Sequence, residues 1–271
     1  MIGSSKLFDC ITFYDENLIT NARFEILNDI VDYFIVCEST YDHSGKKKKL
    51  NFKLLNKTFK SKVRHLVIDK KLSKSNNRWE AEETQREFIF NGIKDAKDED
   101  YIMYSDSDEI PNPKKLNNLV LKKKYGIFLQ KFFVYKLNIF NKFETPWEGT
   151  RITRKKNINK INFLRKKIQS SNLKKNFLKF YYDRSIQLFD DGGWHFNNLY
   201  SYKVISKKLK AFPHIEYSGN HYTNLKFIKN KVENLEDLFG RNHKYEKINI
   251  DHRYPVYILK NLDIFKEFIL V

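Results

Sequence analysis

An α/β fold is predicted, with a mixed, mainly parallel sheet flanked by helices. Two observations predict it. Short, wholly apolar runs alternate with stretches whose apolar residues recur every three or four positions, the signature of buried parallel strands separated by amphipathic helices. The 271 residues, 41% hydrophobic with 23 Phe and 16 Tyr, also hold enough apolar surface for one full core.

The elements follow in chain order. Residues 7–14 predict a first strand. Residues 16–30 predict a helix: Leu18, Ala22, Ile26 and Ile30 form a stripe with Ile19 and Leu27 beside it, and Asp15 is the expected N-cap. The apolar run 33–37 and residues 63–68 predict two further strands. A helix is expected over 79–96, a strand over 101–105, and a helix over 113–122 with a proline in its first turn. The second half is less regular, with strands near 126–136 and 185–189 and a helical C-terminus. Glycine is sparse, nine in all, and no glycine-rich phosphate loop or internal repeat is present.

Charge is uneven. The net charge is +18, from 51 Lys and Arg against 33 Asp and Glu. Residues 46–74 carry 12 basic residues and one acid, and 151–180 carry 11 and none. The rest of the chain is slightly acidic. Residues 151–180 also space Ile158, Ile161, Leu164 and Ile168 among the bases, a pattern suited to an anionic surface such as a membrane or an acidic glycan. The lysines at 46–49 are expected in an exposed loop that draws in anionic ligands. Cys10 and Cys37 lie in apolar runs and read as buried, reduced thiols. With no signal-peptide pattern and no apolar stretch of membrane-spanning length, a cytoplasmic protein is expected, with peripheral membrane contact at most.

The feature richest in chemistry is Asp106-Ser107-Asp108-Glu109 at the end of an apolar strand. Ligands bind at the carboxyl ends of strands in open parallel sheets. Three clustered carboxylates repel one another without a cation. Alternate Asp residues suit Mg²⁺ or Mn²⁺, which take one or two carboxylates plus substrate phosphates. Paired Asp at a strand end equally serves metal-dependent nucleotidyl- or phosphotransferases, and the net charge alone would admit a basic nucleic-acid-binding protein, although no specific nucleic acid is expected.

Several motifs in order resemble glycosyltransferase family 17, the beta-1,4-mannosyl-glycoprotein 4-beta-N-acetylglucosaminyltransferase family, of the GT-A type. They are Val31–Ser39 followed by Ser44-Gly45, Gln85-Arg86, Ser105–Pro111, Trp147, Gly193-Trp194-His195-Phe196, Lys210-Ala211-Phe212-Pro213-His214 and Tyr254–Leu259. The resemblance implies one GT-A-like domain over 1–271, with a nucleotide-binding half at 1–125 and an acceptor-binding half at 126–271. It implies an inverting, metal-dependent transfer of a sugar, GlcNAc from UDP-GlcNAc, to a glycan or glycolipid hydroxyl with a β linkage.

Roles are then expected as follows. Asp106 and Asp108, with His214, are candidate ligands for Mn²⁺ or Mg²⁺. Phe13, Tyr14, Glu16, Glu38, Gln85, Arg86 and Asp106 are candidates for holding the UDP-sugar. Asp191, His195 and Glu109 are the candidate catalytic groups, the first two beside a glycine pair that permits close approach to a ligand. Trp147, Trp194 and Lys210 are candidates for the acceptor.

Overall fold

The computed structural model describes residues 5–75, 77–117, 119–171 and 185–271. Strands β1 (Leu7–Phe13), β2 (Tyr33–Ser39), β3 (Val63–Ile68) and β4 (Tyr101–Asp106) pair in parallel in the order β3-β2-β1-β4. The chain therefore reverses its direction of travel across the sheet between β1 and β4. β8 (Trp147–Arg154) runs antiparallel beside β4, and the long β6 (Tyr125–Val134) runs antiparallel beside β8. β6 then takes β9 (Ile186–Phe189) and β10 (Gly193–Asn197) in parallel, and β7 (Ile139–Phe140) and β11 (Glu246–Lys247) extend the edge. β5 (Glu109–Pro111) pairs with β10. The expected α/β class and mainly parallel sheet are observed. The strand within 147–154 and the strand 193–197 are additions to the expected set.

Alternation along the strands sorts the core into two layers. Phe8, Cys10, Ile35, Cys37, Ile102 and Tyr104 face α2 (Arg78–Phe88) and α4 (Ile161–Lys167). Leu7, Ile11, Phe34, Val36, Tyr101 and Met103 face α1 (Asn17–Leu27), whose Phe24 and Leu27 complete that layer. The two cysteines are buried thiols, as expected. Burial in these apolar layers raises both thiols well above their usual range.

Local chemistry moves several boundaries. α1 begins after Glu16 instead of Asp15: the Glu16 carboxylate folds back to accept from the amides of Tyr14 and Asp15, at 2.8 and 2.9 Å. α2 gives way to a 3₁₀ turn at Ile89–Gly92. Gly92 packs so closely that a Cβ there would lie 2.5 Å from the Ile35 side chain, which fixes where the chain must turn. α3 (Pro113–Asn117) is short.

The second basic segment changes character most. Residues 151–154 belong to β8, and Ile158, Ile161, Leu164 and Ile168 are buried in the core layer against α2. The apolar stripe is thus committed to the protein interior, and any membrane contact would rest on its lysines alone. Residues 172–180 of that segment lie outside the described residues. Among the described residues, no helix is long and apolar enough to cross a membrane.

Candidate active site

A cleft of about 440 Å³ opens along the carboxyl edge of the sheet. Its floor is made by the ends of β1, β4, β6 and β10. The antiparallel β8 presents its first residue, Trp147, to the same edge. A ligand site at the strand ends, beside the β1/β4 switch point, is what open α/β sheets favour.

The acidic cluster sits at the centre. Asp106 ends β4. Its Oδ1 accepts from the Tyr104 hydroxyl at 3.2 Å, and its Oδ2 meets the Arg165 guanidinium at 2.5 Å. Burial alone would raise the Asp106 carboxyl, but Arg165, with Arg86 and His195, more than offsets this and holds it at about 2. Glu109 is fully buried. Its Oε1 accepts from Trp147 Nε1 at 2.7 Å and Arg165 at 2.8 Å, and its Oε2 from the Asp106 amide at 3.1 Å and Arg165 at 3.3 Å. With every oxygen so engaged, Glu109 holds other groups in place and has no lone pair facing the cleft.

Asp108 is the freest of the three. Its nearest side-chain nitrogens are His195 Nε2 at 3.4 Å and Lys208 Nζ at 4.0 Å. Burial would raise Asp108, and the charge and hydrogen bond of His195, joined by Lys208, bring it below the usual carboxylate range. The His195 ring stacks on Phe132, with centroids 4.4 Å apart and planes 8° apart, and Trp147 lies 5.0 Å away. Nδ1 of His195 has no partner among the described residues. One imidazole nitrogen faces a carboxylate and the other is buried without a partner among the described residues.

The end of β4 is pinned from both faces of the sheet. On the α1 face, Arg23 is fully buried. It binds Asp9 through Nε at 2.6 Å and Nη2 at 2.5 Å, donates to Ser105 Oγ at 2.9 Å, and reaches the Glu109 carbonyl oxygen. On the α2 face, Arg86 donates to the Tyr104 hydroxyl at 3.1 Å and pairs with Glu82 at 2.7 Å. This pairing keeps Arg86 behind the acidic cluster, outside the cleft lining.

Phe13, Tyr14, Glu16 and Gln85 line one end of the cleft. Gln85 donates to the carbonyls of Phe13 and Cys37 at 3.2 and 2.9 Å, and its Oε1 pairs with His43 Nε2 at 2.8 Å, so it ties the ends of β1 and β2 together. Glu38 is not in the cleft. It is fully buried and binds Lys48 Nζ at 2.7 Å, the amides of Asn51 and Phe52 at 2.6 and 3.1 Å, and His65 at 3.1 Å. Its oxygens fasten the 48–52 segment, which leaves none for a nucleotide.

Other expected residues fall outside the cleft or only reach its rim. Asp191 sits in the tight turn before β10, half exposed and paired with Lys131. The Gly192-Gly193 pair serves protein packing: Gly193 has φ +129°, and a Cβ there would lie 2.1 Å from the Ile110 carbonyl oxygen. Trp194 is buried among Ile110, Phe133 and Phe196, and its Nε1 donates to the Arg253 carbonyl at 2.8 Å. Lys210 is exposed, whereas Lys208, two residues earlier on α5 (Tyr202–Ala211), enters the cleft. His214 lines the rim, but it is exposed and pairs with Glu216 at 2.8 Å. No cluster of three or more His, Cys, Asp or Glu arranged to hold a metal ion occurs among the described residues.

Comparison with known proteins places these features in context. The family model described as glycosyltransferase family 17 matches residues 3–249. Over 117 residues the chain is similar, at 29% identity, to the beta-1,4-mannosyl-glycoprotein 4-beta-N-acetylglucosaminyltransferases of Rattus norvegicus and Homo sapiens. That match covers 39% of this chain and spans only 22% of each relative's length. Among solved structures, the glucosyl-3-phosphoglycerate synthase of Mycobacterium tuberculosis, in complex with Mn²⁺, UDP and phosphoglyceric acid, aligns at a TM-score of 0.35 and 11% identity, covering 73% of this chain and 72% of that one. A glycosyltransferase involved in glycosylation of the major capsid of PBCV-1 aligns at 0.30 and 12%, covering 68% and 81%.

Proposed function

The chain belongs to glycosyltransferase family 17, and from that premise we propose that it transfers GlcNAc from UDP-GlcNAc to a hydroxyl of a glycan acceptor, with inversion and a β linkage. The carrying observation is the cleft itself. It joins Asp106 and Asp108 to an oriented histidine and to aromatic faces at the carboxyl edge of the sheet.

The donor's nucleotide is assigned to the end of the cleft formed by Phe13, Tyr14, His43 and Gln85. Lys48, 5.5 Å over the Tyr14 ring, and Lys208, 3.9 Å from Glu16, supply positive charge there. His195 is assigned as the base that takes the acceptor proton, with Asp108 orienting its ring. Inversion by direct displacement needs that base on the acceptor side of the sugar; the engagement of Glu109 by Trp147 and Arg165 and the absence of Asp191 from the cleft lining support His195.

The carboxylates fit a divalent cation that is shared with substrate phosphates instead of being caged by the chain. Asp108 would meet it, beside an Asp106 already neutralised by Arg165. Such an ion would stabilise charge developing on the departing UDP. The test is UDP release from UDP-GlcNAc by the full chain with and without Mn²⁺, compared with UDP-Glc and UDP-Gal. Release from none of them overturns the reading.

A further inference from the structure

We propose that Tyr217, Phe239, Glu144 and Arg241 form the acceptor subsite, built for an uncharged saccharide. The inference rests on the transferase reading and assigns the end of the cleft that the donor does not use.

The rim segment 212–217 gives the cleft two ends. Phe212 meets Tyr14 and His43 at the nucleotide end, with ring centroids 5.6 and 5.9 Å away. Five residues later, Tyr217 meets Phe239 at 4.5 Å. Both rings line the cleft and are half-buried, so they offer the flat apolar faces on which the C–H side of a pyranose packs.

Polar groups adjoin that platform. The Arg241 guanidinium lies 5.3 Å from the Phe239 ring centroid. The buried Asp237 fixes it through Nη2 at 2.6 Å and Nε at 3.2 Å, and Glu144 accepts from Nη1 at 2.9 Å. Asp237 also accepts from the amides of Phe239 and Arg241, so the loop carrying both residues is held by one carboxylate. A guanidinium has five N–H donors, and these contacts engage three. A donor fork beside a carboxylate suits adjacent hydroxyls of a sugar, one accepting and one donating.

Charge selects the class of acceptor. Within this triad the carboxylates Asp237 and Glu144 outnumber the single guanidinium of Arg241. An anionic glycan would be repelled, although the +18 of the whole chain suggests the reverse.

The experiment is a glycan array probed with the full chain, spanning neutral oligosaccharides and sialylated or uronic-acid-containing ones. The wild type should bind neutral termini selectively. Phe239→Leu, which keeps apolar volume but removes the ring, should weaken binding about tenfold. Glu144→Gln should reduce the preference for neutral over anionic glycans several-fold. In both variants, the thermal shift produced by UDP-GlcNAc should equal that of wild type, which also reports that they are folded. Preference for anionic glycans, no glycan binding, unchanged binding in both variants, or loss of the UDP-GlcNAc shift together with glycan binding would each overturn the subsite. A chain that binds neutral glycans through Phe239 but neither binds nor cleaves any UDP-sugar would overturn the transferase reading and leave the subsite standing.

Discussion

Arg165 places its guanidinium 2.5 Å from Asp106 and 2.8 Å from Glu109, joining two acids at the end of β4. A residue from one of the two basic segments thus neutralises acids at the end of β4. Breaking a buried pair by removing one partner leaves an uncompensated charge. Arg165→Ala should therefore destabilise the fold by about 3 kcal/mol, the lower end of the range for such losses, and abolish sugar transfer. Arg165→Lys should recover part of the stability. Urea denaturation monitored by fluorescence checks this, and an alanine variant as stable as wild type would contradict it.

His195 and Asp191 are separated by kinetics. Replacing the cleft-lining His195 with Asn should lower kcat by about 10²–10⁴, the usual contribution of a positioned base, with donor KM little changed. Asp191→Asn should leave both parameters near wild type, because it removes only a half-exposed pairing with Lys131. The reverse pattern would transfer the base assignment to Asp191.

Glu38 acts on stability. Burial would raise its carboxyl, but hydrogen bonds from His65 and Asn51, and the paired Lys48, bring it below the usual value. A carboxyl depressed in the folded state contributes stability above its unfolded pKa, about 4.3, and that contribution is lost as pH falls toward the folded value. Glu38→Gln should flatten this acid dependence and cost about 1–3 kcal/mol by leaving buried partners poorly satisfied. Affinity for UDP at neutral pH should be nearly unaltered. Scanning calorimetry between pH 3 and 7, paired with UDP titration, measures both.

Two glycines should respond in opposite ways. Gly193→Ala forces a Cβ against the Ile110 carbonyl at a φ that L-residues rarely adopt, and should lower soluble yield or melting temperature severely. Gly219, with φ −66° and open space around its Cβ position, should accept alanine within about 0.5 kcal/mol. Equal melting temperatures for the two variants would refute the packing role.

Lys208 and Lys210 form a further pair. Lys208→Ala removes a cleft cation near Glu16 and Asp108, and should raise donor KM several-fold. Lys210→Ala, at an exposed site, should leave it unaltered. Steady-state rates of UDP release distinguish them.

The sequence disclosed most where periodicity and burial coincide. The run at 33–37 is an uninterrupted apolar strand, and Asp106–Glu109 follows directly from another apolar strand. It disclosed less where charge masks burial. Ile158, Ile161, Leu164 and Ile168 sit among lysines, so their stripe resembles a surface helix, yet all four are in the core. Arg165 shares that disguise: only its distant partners Asp106 and Glu109 make it an interior residue. Trp194 and Gly193 were conspicuous by type, but pairing with β5 and β6 uses them for packing. Tyr217, Phe239 and Arg241 gave no local signal, because they meet only through the rim and the Asp237-held loop.

The buried Arg23 and the paired Arg86 grip the end of β4 from opposite faces of the sheet, while the far wall of the cleft hangs on loops around residues 144, 217 and 239. These two constructions answer to different pressures. Changes in the loops can reshape that end of the cleft without loosening the acids at the end of β4.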